Sequence, residues 1–261
     1  MAQTGYVHGS TDDREVARLE KQADFTASFT FSTLEVHDGH RVLDLATGVG
    51  AMGSRLQTRW PNAHVVGVDL SRTQLGAARK NHPALPVLRA DATRLPFDDS
   101  TFDRVHCSWL LEHVPSPVAV LREVRRVLKR GGFCQFVEVD NATFGTTPPT
   151  ESVFELMRRL NAAQFAAGGD PYIGERIHRA FAGAGFRRFE ITKHPLRGSS
   201  ANPTFFQACI DEFAEIFEGL DESLGAASAQ LISDAIAELR ALPAQPNAQF
   251  RYTPVITRAW K

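Results

Sequence analysis

Apolar positions recur along this chain with two alternating periods. Short runs rich in β-branched and aromatic residues, at Arg41–Leu45, His64–Val68, Val87–Ala90, Arg104–Cys107 and Gly132–Val139, read as strands. Between them, apolar residues three or four apart predict helices over Gly48–Trp60, from Ser71 or Thr73 to near Asn81, and over Val118–Leu128. Pro61 stops the first, and Gly131-Gly132 marks the exit of the last. Strands joined by ten or so residues of helical pattern need crossovers, hence a mostly parallel sheet. Ahead of the first strand, Asp12–Val36 places Val16, Leu19, Ala23 and Phe29–Phe31 as the buried face of a helix or helix pair. Beyond Val139 the regularity loosens. Glu151–Phe165, Glu175–Ala184, Phe205–Leu220 and Ser228–Leu242 read as helices, and Phe186–Lys193 and Tyr252–Trp260 as strands. Thr146–Pro149, Gly198–Ser200 and Leu242–Pro246 act as punctuation.

Composition narrows the class without naming a chemistry. Of 261 residues 43% are hydrophobic and 23% charged, which excludes disordered, collagen-like and disulfide-scaffold chains. A formal charge of −1 gives no electrostatic reason to expect nucleic acid or an anionic membrane as partner. The cysteines, Cys107, Cys134 and Cys209, are widely spaced without a CxxC or Cys/His cluster, so no metal site or disulfide is expected. No signal-peptide pattern or membrane-spanning run is present, and a cytoplasmic protein is expected.

The chemistry concentrates in Val42-Leu-Asp-Leu-Ala-Thr-Gly-Val-Gly50. Gly48, Gly50 and Gly53 form G-x-G-x-x-G between a strand and a helix, where glycines permit a tight turn and close backbone approach to a ligand. Asp69 ends the second strand, placed to accept from both hydroxyls of a ribose, or alternatively to cap the next helix. Asp44, inside the first strand, would oppose a pyrophosphate but suits a cationic amino group such as that of S-adenosylmethionine. Its other reading is a hydrogen-bond acceptor for its own loop. Asp91 follows the third strand, placed to accept from an adenine amino group.

On these residues the chain resembles the class I S-adenosylmethionine-dependent methyltransferases of small-molecule type. The glycine motif is Asp44-Leu-Ala-Thr-Gly-Val-Gly50, the ribose acid Asp69 in Val65–Ser71, and the adenine-contacting acid Asp91. Leu95–Asp103, Ser108–Val114 and Leu121–Gly132 continue the match, which covers Arg41–Val139 and extends more loosely through Gly174–Lys193. Ala46 departs from the pattern, standing where many members carry a third glycine. The resemblance implies an α/β, doubly wound, mostly parallel seven-stranded sheet with an antiparallel last strand. It implies one domain, with a helical N-terminal lid over 1–40, a cofactor-binding core over 41–140, and acceptor-side helices and closing strands over 141–261. S-adenosylmethionine is the expected cofactor, at Asp44, Ala46, Gly48, Gly50, Asp69, Leu70 (packed on adenine), Asp91, Ala92 and Ser108 (through its carbonyl). Tyr6 and Arg18, with Gln22, stand where related lids reach the methionine carboxylate. The expected reaction is methyl transfer to a small, apolar or aromatic acceptor, on oxygen first, with nitrogen or carbon open. The Asp-Leu-Ala-Thr-Gly run prompts a rival, C-methylation in a quinone pathway; a non-catalytic cofactor-binding regulator and a nicotinamide dehydrogenase are the others. Monomer and homodimer both stay open.

His113 is the candidate general base, against a structural role in fixing its loop. Trp109 either lines the cofactor pocket or packs in the core. Glu138 and Asp140 end the fifth strand, where they would orient an acceptor or face solvent. His178 is expected on the surface. Phe205, Phe206, Phe213 and Phe217 share one predicted helix, with Phe154 and Phe165 on another; they form either ordinary core or an apolar cap over the acceptor.

Overall fold

Val42, Leu43 and Leu45 are buried on both faces of β1 (Arg41–Leu45), as expected of a strand with neighbours on either side and helices above and below. The computed structural model describes residues 12–220, 224 and 228–261. Around β1 the sheet adds β2 (His64–Asp69), β3 (Val87–Arg89), β4 (Phe102–Ser108), β5 (Leu128–Glu138), β7 (Arg188–Lys193) and β10 (Val255–Trp260), in the order β3-β2-β1-β4-β5-β10-β7. The β3-β2-β1-β4-β5 portion is parallel, and β10 runs antiparallel between β5 and β7. This is the doubly wound, seven-stranded arrangement expected from the sequence.

Helices cover both faces. Asp12 caps α1 (Asp13–Thr30) by accepting from Glu15 N–H at 2.8 Å, and Ser71 caps α3 (Arg72–Asn81) in the same way through Gln74. α1 and α2 (Ala51–Arg59) bury Ala23, Met52 and Leu56 with Val42, Val65 and Phe133 on one face. α4 (Pro117–Val127) and α6 (Ile173–Gly183) bury Val120, Val124, Ile177 and Phe181 with Leu43, Val105 and Phe136 on the other. Gly132 belongs to β5 rather than to a helix exit: a Cβ there would sit 2.8 Å from the Asp103 carbonyl, beside the register shift between β4 and β5.

The segment after β5 builds a second sheet that the hydrophobic pattern did not announce. β6 (Gly145–Thr147) and β8 (Leu196–Ser199) flank β9 (Gln249–Tyr252), all antiparallel. Strands of three or four residues are too short to show alternation, so β6 and β8 overlap segments read as punctuation and β9 is not foreseen as a separate strand. The expected last strand, Tyr252–Trp260, is in fact divided: Pro254 lacks the N–H a ladder needs, so Tyr252 ends β9 and Val255 begins β10. α5 (Glu151–Ala166), α7 (Pro203–Glu218) and α8 (Ala229–Ala241) pack with this small sheet. The three cysteines are free and buried, with no metal-ligating group among the described residues. No described helix is long and apolar enough to cross a membrane.

Candidate functional site

The parallel order reverses between β1 and β4, and a crevice opens at such a switch point beyond the carboxyl ends of the strands. Here it is a cavity of about 770 Å³, bounded by the loop after β1, the ends of β2, β3 and β4, helices α1, α5 and α7, and Tyr252.

The glycine loop forms its floor. Gly48 and Gly50 take φ of 56° and 83°, left-handed values that glycine alone adopts freely. Gly50, expected at the cofactor, is not on the cavity wall: a Cβ there would press on Ala78, His82 and Leu85 at 3.1–3.3 Å, so this glycine serves the packing of the loop on α3. Gly48 N–H donates to Asp69 Oδ2 at 2.9 Å, and Ser71 N–H donates to Oδ1 at 2.8 Å. Asp69 therefore ties the glycine loop to the residue that caps α3, and it also borders the cavity. Burial raises its carboxyl above the usual range.

Asp44 is placed differently from the sequence expectation. It lies beneath the loop, outside the cavity wall, where it accepts from the Thr47 hydroxyl at 2.5 Å and from the Gly53 N–H. Its role as acceptor for its own loop is what the structure displays. Burial is the main cause pushing its carboxyl up to about 7.

Ala46, Leu70, Asp91, Ala92, Ser108 and Trp109 all line the cavity. Asp91 accepts from Thr93 N–H and hydroxyl at 2.8 and 2.7 Å, both on Oδ1. The Ser108 hydroxyl lies 3.2 Å from Nε2 of His106, a buried imidazole whose pKa falls to about 4 through desolvation. Arg18 lines the cavity from α1, in a bidentate pair with Glu15 at 2.7 Å and 3.6 Å from Glu212. Gln22 donates to the same Glu212 at 2.9 Å. Tyr6 lies outside the described residues.

His113 also faces the cavity, with Glu112 and Gln164 beside it. Gln164 Nε2 donates to Glu112 Oε2 at 2.7 Å and lies 3.3 Å from His113 Nδ1; Nε2 of His113 is 3.6 Å from Glu112 Oε1. His113 is thus fixed by its neighbours, as the structural reading has it, while it also borders the cavity. Glu138 and Asp140 do neither thing expected of them. Both are buried and absent from the cavity wall, and Glu138 binds the backbone of the turn that carries Glu112. His178 is exposed, as expected.

Of the phenylalanines singled out from the sequence, Phe213 lines the cavity, Phe206 and Phe217 are core, Phe205 is half-buried against Phe25, and Phe154 and Phe165 are exposed; Phe25 of α1 also lines the cavity. Asn141, Met157, Leu160, Leu196 and Tyr252 complete the far wall, and none was singled out from the sequence. They lie on elements whose order in space the hydrophobic pattern does not encode.

A methyltransferase domain model matches residues 43–136. The ubiquinone/menaquinone biosynthesis C-methyltransferase of Desulfotalea psychrophila is 39% identical over 167 residues, 56% of this chain and 65% of that protein. The demethylmenaquinone methyltransferase of Streptomyces avermitilis is 35% identical over 150 residues, 55% of this chain and 63% of that protein. The chain thus matches less than two thirds of the length of these relatives. Among solved structures, the YcgJ protein from Bacillus subtilis superposes with a TM-score of 0.58 at 19% identity, covering 91% of this chain and 98% of that one. Phosphoethanolamine N-methyltransferase 2 of Haemonchus contortus gives 0.58 at 20% identity, covering 92% and 52%. At such identities the likeness is one of fold.

Proposed function

We propose that this chain, which carries a class I methyltransferase domain over residues 43–136, transfers a methyl group from S-adenosylmethionine to a small, largely apolar acceptor. The observation that carries this reading is the continuity of one cavity from Asp69 and Asp91 at the ends of β2 and β3 to Met157, Leu160, Leu196 and Phe213 on the opposite wall. Its volume of about 770 Å³ falls inside the ~300–1,000 Å³ usual for ligand sites.

The residues present suit the cofactor. Gly48 lets the backbone of the loop border the cavity, and Asp69 would offer its carboxylate to vicinal hydroxyls. Leu70 and Ala92 would border the adenine, Asp91 would accept from its amino group, and the Ser108 carbonyl and Arg18 would serve the amino-acid end. Asp44 acts one step back, by holding the loop through Thr47 and Gly53. When bound, S-adenosylmethionine supplies an electrophilic methyl and a neutral leaving group, so the protein's task is alignment and exclusion of water.

His113 would receive the acceptor's proton, with Gln164 beside its Nδ1 and Glu112 3.6 Å from its Nε2 to fix the ring. The helical stretch 12–40 is proposed as the lid, 41–140 as the cofactor half, and 141–261 as the acceptor half of a single domain. The cavity continues past the cofactor half to Met157, Leu160 and Phe213, which favours turnover over a purely regulatory role.

Calorimetry with S-adenosylhomocysteine, followed by transfer of labelled methyl to a panel of phenols, amines and demethylated quinones, tests the reading. Failure to bind S-adenosylhomocysteine would overturn it. The names of the two curated relatives favour a second acceptor reading, methylation of a ring carbon in a quinone precursor. Demethylmenaquinone as sole acceptor separates it from methylation of a phenol oxygen by the carbon-13 shift of the transferred methyl, since a ring C–CH3 and an O–CH3 product are isomers of equal mass.

A further inference from the structure

We propose that the acceptor carries a hydroxyl group, and that Tyr252 and Asn141 hold that hydroxyl. The inference rests on the methyl-transfer reading and names a feature of its substrate. Tyr252 ends β9 with its ring edge-on to Phe213, the centroids 5.1 Å apart. Its phenol heads a chain of hydrogen bonds leading away from the cavity. Tyr252 Oη donates to Asn141 Oδ1 at 3.2 Å, Asn141 Nδ2 to Asn161 Oδ1 at 2.8 Å, and Asn161 Nδ2 to Tyr172 Oη at 3.1 Å. Of these residues only Tyr252 and Asn141 face the cavity.

The direction of the chain decides what a ligand can do there. Burial and the nearby Glu112, Asp140 and Glu138 carboxylates hold the Tyr252 phenol well above its usual pKa, so it keeps its proton. That proton is committed to Asn141, which leaves Tyr252 Oη with lone pairs to offer. Asn141 has a second amide hydrogen that Asn161 does not use. A hydroxyl can donate to the first and accept from the second. An ether or carbonyl oxygen can only accept, and a hydrocarbon can do neither. Around the pair stand Leu196, Phe213 and Pro254, which strip water from whatever binds, so an unmatched polar group would be penalised.

The test uses two bicyclic compounds that differ in one methyl group, 2-naphthol and 2-methoxynaphthalene. Each is titrated into the full chain saturated with S-adenosylhomocysteine, whose own binding is measured first. Wild type is expected to bind 2-naphthol about five- to tenfold more tightly, the scale of one neutral hydrogen bond. In Tyr252→Phe, which keeps the ring and its contact with Phe213, the ratio is expected to fall to near one. Equal affinities in the wild type, a preference that survives in Tyr252→Phe, or no binding of 2-naphthol would each overturn the proposal. The wild-type ratio needs no variant, so the test stands even where the variant does not fold. Absence of S-adenosylhomocysteine binding sinks the methyl-transfer reading itself, whereas its binding with equal naphthalene affinities sinks this inference alone.

Discussion

The carboxylate of Glu138 accepts the backbone N–H of Leu111 at 2.9 Å, deep in the protein and out of reach of the cavity. The same side chain accepts from Leu110 at 3.3 Å and Glu112 at 3.4 Å, so one buried acid satisfies three donors of the turn that presents Glu112 and His113. Desolvation, reinforced by the charge of Glu112, holds its pKa well above the usual carboxylate range. Glu138→Gln keeps the volume but turns an NH2 toward N–H groups that need an acceptor. Urea unfolding is expected to show a loss of about 1–3 kcal/mol, the cost of leaving buried donors unpaired. The His113 imidazole resonances should shift as the turn moves. An unchanged midpoint with an unshifted His113 would mean that the turn does not depend on Glu138.

Asp69 joins the glycine loop to the cavity, since its two oxygens bind Gly48 and Ser71 while the residue borders the ligand space. Removing it takes away a charged acceptor from any ribose placed there. Asp69→Ala is expected to weaken S-adenosylhomocysteine by about 1–3 kcal/mol, roughly five- to 150-fold in Kd by calorimetry. Asp69→Asn should fall between, because an amide oxygen still accepts one bond. Equal affinity for all three proteins would take Asp69 out of the site.

These residues also mark how far the sequence could be read. β1 matches its expected bounds because a central parallel strand leaves a continuous apolar run, and Asp69 was legible because a fixed distance separates it from the glycine turn. Asp44 carried two readings, and only the position of Gly53 on the following helix turn decides for the loop. Glu138 sits at a strand end where topology points toward the ligand, but a side chain one residue earlier or later points elsewhere. Tyr252, Asn141 and Gln164 come together from three elements separated by about a hundred residues or more of chain or by a helix. No local period records such a meeting.

α1 reaches the cavity with Arg18, Gln22 and Thr26 while being tied down on its other side by Arg55 of α2. The Arg55 guanidinium binds Asp24 at 2.8 and 3.0 Å, the Glu20 carboxylate and the Glu20 carbonyl. A network of this kind holds more than an isolated surface pair, each of which contributes ~0–1 kcal/mol. Arg55→Ala is expected to speed proteolytic cleavage within α1 several-fold and to leave the unfolding free energy from urea titration within about 1 kcal/mol of wild type. S-adenosylhomocysteine should restore protection if α1 closes over it. Unaltered cleavage would show that α1 is held by its apolar face alone.

Asp44 makes the stability of the loop depend on pH. In an unfolded chain an aspartate ionises near pH 3.9, approximately, whereas burial beneath the loop pushes Asp44 up to about 7. Between those values the folded protein binds more protons than the unfolded one, so this group's contribution favours folding at the acid end and declines as pH rises toward 7. Other groups titrate too, and a difference against Asp44→Asn removes them. Asparagine keeps one oxygen for the Thr47 hydroxyl or the Gly53 N–H but has no proton to exchange. The wild-type minus Asp44→Asn difference in unfolding free energy, from urea titrations at intervals between pH 5 and pH 8, is expected to decrease steadily with rising pH and to flatten above about 7. A flat difference across the range would mean that Asp44 ionises in the fold as it does in water. An increase with pH would mean that the loop stabilises its anion.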